Sequence, residues 1–357
     1  MLPDDRRRRR EDLARFRPRA YEVAALLAFG ATVAALRLAG VPLSPGAFLH
    51  TLRTSGPTLL GALAAGVVLN ALFRLREPGG ARSYLRTVRS PAWLVESARI
   101  LVAGALLGHA YTWLKVFIPF VNGRRWDVEL AWLDQALHLG VSPSRFLVAL
   151  FGGTPLLPAI DWTYFLWLPF ALLGFGFFAA FPDTETRARY VLSHVLLWTL
   201  GAWGYVAMPA LGPALAFPDE WKAVRAEMPL NSGGQVTLLL NYQLVLDAKR
   251  DGAPPAPFLN PALGVAAMPS LHVGVDVLLL VWCRRRARPL ALLAFLALLV
   301  HVLGSVATGW HYAVDAYVGA ALALLAAWAA GRPARGLAEE AGTDGPAPAP
   351  RPGESAE

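Results

Sequence analysis

Apolar residues in this chain come in long runs, each closed by arginine, proline or glycine. Eight runs approach the ~20 residues that a helix needs to cross a bilayer. They fall at about residues 21–41, 57–73, 91–117, 155–181, 190–208, 268–283, 289–304 and 312–330. One intervening stretch is too polar to cross, yet places Trp126, Leu130, Leu133 and Leu137 at helical spacing. That pattern predicts an amphipathic helix lying in the membrane interface. The longest non-spanning region, 210–261, is rich in proline, glycine and asparagine and predicts one short helix near 235–249. The fold class is therefore an all-α polytopic membrane protein with about eight transmembrane helices.

Composition agrees: 55% of the 357 residues are hydrophobic and only 16% are charged, where a soluble domain would hold about a quarter. The net charge of +8 does not point to nucleic acid, because the arginines cluster at the ends of apolar runs. They sit at 6–10, 74–89, 187–189, 284–288 and 332–335, the pattern of the positive-inside rule. Eight spans starting in the cytoplasm place every arginine-rich turn inside, both termini included, and place Lys115, 269–272 and 309–315 on the extracytoplasmic side of the plasma (inner) membrane. Residues 1–19 do not resemble a cleavable signal peptide and read as a cytoplasmic tail. The tail after Gly331 is low in apolar residues and reads as disordered. A single cysteine, Cys283, gives neither an intramolecular disulfide nor a cysteine-based metal site.

The chemistry concentrates where two histidines each open an apolar run. Asp315 follows His311 by four residues, which puts carboxylate and imidazole on one helix face. A carboxylate bonded to one ring N–H fixes the tautomer and makes the other nitrogen the better nucleophile or base. Gly319, four residues on, leaves that face open to a close helix neighbour. His272 stands on the same predicted membrane face, preceded by Pro269 and Ser270, with Asp276 one turn further along.

Pro269-Ser270-Leu271-His272, followed one span later by Gly309-Trp310-His311-Tyr312-Ala313-Val314-Asp315, resembles the type 2 phosphatidic acid phosphatase superfamily. That family has a six-helix membrane core and three motifs: K-x6-R-P, P-S-G-H and S-R-x5-H-x3-D. The resemblance implies that His311 is the nucleophile on phosphorus, Asp315 its orienter and His272 the acid for the leaving oxygen, with no metal or other cofactor and with membrane lipids as substrates. It covers roughly residues 93–331. Residues 21–92 are then two accessory transmembrane helices, and 1–20 and 332–357 are tails.

The departures are specific. Gly304-Ser305 stands where the third motif has Ser-Arg, Leu271 replaces the second motif's glycine, and Asn122-Gly123 stands where the first has Arg-Pro. These changes look like the branch containing inositol phosphorylceramide synthases, which transfer a phosphoryl-alcohol group between lipids. Loss of the arginine leaves transition-state charge to another cation. Lys115, one of three lysines, is the first candidate. Arg124 and Arg125 are candidates for a bidentate phosphate contact, against the alternative of solvated interface charges. Ser270 reads either as a phosphate donor or as a helix N-cap.

Other polar residues read as structural. Asp276 either tunes His272 or pairs with a buried basic group, the second being favoured. His109, His194 and His301 fall in mid-span and read as interhelical hydrogen-bond partners. Asp127 and Asp134, with Glu129, read as a solvated helix face in preference to a cation site. Two functions from different classes are compatible with the chain: a lipid phosphatase or phosphotransferase, and a proton-coupled transporter with the histidines as a relay. The clustering at one face and the absence of an obvious repeat between halves favour the enzyme. Within that class hydrolysis and transfer stay open, as does the head group. The 210–261 region is placed over the mouth as a lid, with Tyr205, Pro209, Gly212 and Pro213 shaping the opening.

Overall fold

A computed structural model describes residues 17–43, 45–252 and 263–331. The expected tails before 17 and after 331, and the 253–262 part of the predicted lid, lie outside the described residues. Among the described residues the chain is helical with no strand, as the apolar pattern predicts for a multi-pass membrane protein.

The helices that matter are α1 (Ala20–Leu38), α2 (Pro45–Phe73), α3 (Gly80–Val88), α4 (Pro91–Val116), α5 (Asp127–Leu137), α6 (Pro143–Phe151), α7 (Leu156–Phe165), α8 (Trp167–Ala179), α9 (Thr184–Ala207), α10 (Pro229–Asp251), α11 (Leu271–Arg286), α12 (Ala291–Ala307) and α13 (Ala313–Gly331). Among the described residues six segments are long and apolar enough to cross a membrane: Ala20–Leu38, Phe48–Arg76, Pro91–Val116, Leu156–Ala179, Arg288–Ala307 and Ala313–Gly331. The expected fifth and sixth spans are α9 and α11, which fall outside that set. Both carry charge: α9 opens with Glu185, Arg187 and Arg189, and α11 holds Asp276 and closes on three arginines. They can do so because they sit in the middle of the bundle, packed on each other and both against α13.

Contacts fix their directions. Gly201 and Gly204 of α9 abut Leu271 and Pro269, while Arg189 at the other end of α9 donates to the Gly331 carbonyl and Arg285 of α11 to that of Ala327. Thus α11 and α13 run parallel, α9 runs against them, and the histidines gather at one end of the bundle while arginines gather at the other.

Three boundaries differ from the pattern. The second apolar helix begins at Pro45 and runs through Pro57, a residue that a membrane helix tolerates better than a soluble one. The fourth run is broken at Leu166 into α7 and α8. The polar loop helix is not short: α10 spans 23 residues, its first turn being held from outside by a carboxylate described below.

Candidate active site

α11 begins where it does because Pro269 precedes it in the chain and Ser270 caps it. The Ser270 backbone is extended, and its hydroxyl accepts from the Val273 amide at 3.4 Å. The Ser270 amide in turn donates to the Asp315 carbonyl at 2.9 Å, tying the start of α11 to the first turn of α13. Gly319 makes that approach possible: a Cβ there would lie 2.0 Å from the Ser270 carbonyl oxygen. The expected small-residue contact is therefore present, and it is the hinge of the site.

It brings the two histidines into direct contact. His272 Nδ1 lies 2.8 Å from His311 Nε2, and His311 Nδ1 lies 3.3 Å from Asp315 Oδ2. An ionised carboxylate only accepts, so His311 carries its proton on Nδ1 and presents a bare Nε2. His272 Nδ1–H is then the donor to that lone pair. The same Asp315 oxygen accepts from the Tyr312 amide at 2.9 Å, which caps α13 from within. Asp315 is fully buried and His311 nearly so, while His272 is half-buried. Behind His272, the Trp167 ring sits edge-on at 4.2 Å between centroids and its Nε1–H donates to the His272 carbonyl at 3.1 Å.

Lys115 lies at the same end, at the last turn of α4, within electrostatic reach of His272. Its ammonium rests over the rings of Tyr111 at 5.6 Å and Tyr205 at 5.4 Å. Among the described residues no carboxylate and no hydrogen-bond acceptor joins it. A half-buried ammonium at this place can meet the charge of an anionic group brought to the two histidines. Arg124 and Arg125 are not gathered into this group. Arg124 pairs with Glu129 at 2.9 Å and stacks on Trp126, and Arg125 pairs with Asp127 at 2.9 Å. Both guanidiniums are largely exposed. Ser305, at the position of the missing arginine, is fully buried. Its carbonyl accepts from the amides of Trp310 and His311, both at 3.1 Å, so it shapes the turn that presents His311.

The frame of the site rests on residues assigned above to a solvated surface. Asp127, Leu130 and Asp134 are the buried face of α5, which corrects the solvated-face expectation. Asp134 accepts from the Ala313 and Val314 amides at 2.9 and 2.8 Å, satisfying two orphan donors in the first turn of α13. Burial pushes the Asp134 carboxyl up, and those two amides pull it back. Asp127 Oδ1 accepts from the Leu211 and Gly212 amides and from the Tyr312 hydroxyl. Asp161 does the same for α10, accepting from the Leu230 and Asn231 amides at 3.0 and 2.9 Å. The signal was present for the first two: spacings of three and four around Leu130 put both aspartates on its own side of the helix. Nothing in the sequence marks Asp161.

The remaining buried histidines divide. His301 Nδ1 pairs with Asp276 Oδ2 at 2.6 Å, the structural pairing favoured for Asp276. His109 joins helices, with its Nε2 2.8 Å from the Phe48 carbonyl. His194 instead packs among Phe175, Tyr190 and Trp198, and its Nδ1 has no hydrogen-bond partner. Among the described residues no cluster of histidine, cysteine and carboxylate is arranged to hold a metal ion.

The chain matches the family model of the PAP2 superfamily over residues 128–329. The match takes in His272, Ser305, His311 and Asp315, and leaves out Lys115, Arg124 and Arg125. No curated protein and no solved structure matches the chain. With more than half of its length in that match, and a histidine pair backed by an aspartate at one end of a membrane helical bundle, the chain belongs to the PAP2 superfamily.

Proposed function

We propose that the protein is a lipid phosphatase or phosphotransferase that works through a phosphohistidine at His311, with its site on the extracytoplasmic face of the plasma membrane. The observation that carries this reading is the 2.8 Å contact between His272 Nδ1 and His311 Nε2, with Asp315 behind His311. In the first step His311 Nε2 attacks phosphorus, a P–N bond forms, the P–O bond to the leaving group breaks, and His272 delivers a proton to that oxygen. In the second a hydroxyl attacks phosphorus, gives its proton to His272, and the P–N bond breaks. Asp315 holds the tautomer throughout and stabilises the imidazolium character of His311. Because His272 occupies the His311 lone pair at rest, the phosphoryl group enters by displacing that hydrogen bond.

In this reading Lys115 meets the phosphate charge in place of the missing arginine, and the Ser270 hydroxyl, which accepts in its capping role, keeps a proton to donate. Arg124 and Arg125 serve at the periphery.

Transfer to a lipid hydroxyl is favoured over hydrolysis by α10. Near one end Trp310 donates to Asn231 and Gln235 donates to the Thr308 carbonyl, just before His311. Near the other, Lys249 donates to the Pro119 carbonyl, just after Lys115. A helix tied down on both sides of the histidines limits the access of water. This is consistent with the sequence likeness to inositol phosphorylceramide synthases.

The test is to incubate the purified full chain with phosphatidic acid, polyprenyl phosphate and phosphatidylinositol, each with and without ceramide or diacylglycerol, and to follow products by mass spectrometry. The transfer reading predicts a new phospholipid that depends on the acceptor. Steady phosphate release without any acceptor would leave the phosphatase reading alone, and no turnover of any phosphorylated lipid would contradict both.

A further inference from the structure

Below the histidines, α4, α8 and α9 line an apolar groove of about 170 Å³. Its walls include Gly104 and Gly108 of α4, Ala171 and Phe175 of α8, and His194 and Trp198 of α9, with Leu59 of α2 closing one side. Two lining residues belong also to the site: Trp167, whose ring abuts His272, and Tyr111, whose ring lies under Lys115. Leu168 in its wall is exposed, as are Leu166 and Leu173 of the same segment, the face such a segment turns to lipid. From Gly104 to Tyr111 it runs about 10 Å along α4.

We propose that this groove holds one linear hydrocarbon chain of the phosphorylated lipid, with the phosphate at Lys115 and the histidines. The proposal rests on the reading of the site given above. Continuity argues for the occupant: the groove is apolar along its length and reaches Tyr111 beneath Lys115, whose ammonium meets no carboxylate among the described residues. A soluble phosphate ester would leave it empty, whereas a phospholipid fills both parts at once. Leu59 and the glycine face lie outside the residues matched by the family model. Gly108 is the gauge. A Cβ at that position meets nothing within 4 Å, so a larger side chain projects into the groove without displacing backbone.

The experiment reconstitutes the full chain in phosphatidylcholine vesicles and compares Gly108→Ala, Gly108→Leu and Gly108→Phe. The substrates are a long-chain and a six-carbon-chain phosphatidic acid. The ratio of long-chain to short-chain KM should rise in that order, by about tenfold for the phenylalanine variant. A long-chain phosphatidic acid with a photoreactive group in its tail should crosslink to the 104–111 face or to Trp198, and the phenylalanine variant should suppress that crosslink. An unchanged KM ratio across the series, or crosslinks placed only elsewhere, overturns the groove. Crosslinking needs no turnover, so an inactive protein that still crosslinks there would sink the catalytic reading and leave the groove standing.

Discussion

The molecule holds two histidine–aspartate pairs, and they differ in what lies in front of them. His311 and Asp315 share one helix face at 3.3 Å, and the free nitrogen of His311 meets His272. His301 and Asp276 come from different helices, meet at 2.6 Å, and face Tyr164 and Phe170. The second pair has the shorter contact, yet it looks onto aromatic rings. A bonded carboxylate orients an imidazole in either place; among the described residues it is at the end of the bundle that the oriented ring faces a second histidine, with Lys115 and the groove close by. The same pair of residue types thus fastens α11 to α12 in one position and, in the proposed reading, prepares a nucleophile in the other.

Breaking each pair should separate these roles. The largest effect on chemistry after removal of the nucleophile itself is expected from His272→Ala, a loss of about 10²–10⁴ in kcat with ordinary lipid phosphates. Much of that loss should be recovered with a substrate whose leaving group needs no proton, such as a p-nitrophenyl phosphodiester. Equal loss with both substrates would deny His272 the role of acid. Asp276→Asn should act on the other side of the comparison. Leaving one member of a buried pair alone costs about 3–5 kcal/mol, which a thermal unfolding scan would read as a marked fall in Tm. Turnover per folded molecule should change by no more than about threefold. A large fall in kcat at unchanged Tm would make the second pair catalytic and erase the distinction.

A smaller effect is expected at Lys115. Lys115→Met removes a cation from a site where charge gathers in the transition state, and should cost about 10–10²-fold in kcat/KM. Lys115→Arg should keep part of the activity, whereas Arg124→Gln and Arg125→Gln should stay within about twofold of wild type. If the arginine variants lost more than the lysine variant, the replacement for the missing motif arginine would lie on the loop and not on α4.

The sequence made the bundle legible because membrane helices announce themselves by length and hydropathy, and because histidine, aspartate and glycine recur at spacings that one helix face can use. It was less clear about α9 and α11. Their charges obscure the apolar signal, and those charges are tolerable only because other helices surround them. The reading failed most plainly at Asp127 and Asp134. Carboxylates on a polar helix look solvated until the partners arrive, and the partners are backbone amides of 211–212 and 313–314, which no side-chain pattern reveals. Arg124 and Arg125 show the related point that a basic pair near a motif looks available in sequence, while in the fold each meets an acid two to five residues away.

The central claim is the covalent intermediate on His311. Mixing the protein with substrate, quenching in alkali within the first turnover and mapping the adduct by mass spectrometry tests it directly. The account predicts a phosphoryl or phosphoryl-alcohol adduct on His311 that is stable in alkali and lost in acid, and its absence from His311→Ala, which should also have no detectable turnover. An adduct on any other residue, or near-native turnover by His311→Ala, would contradict it.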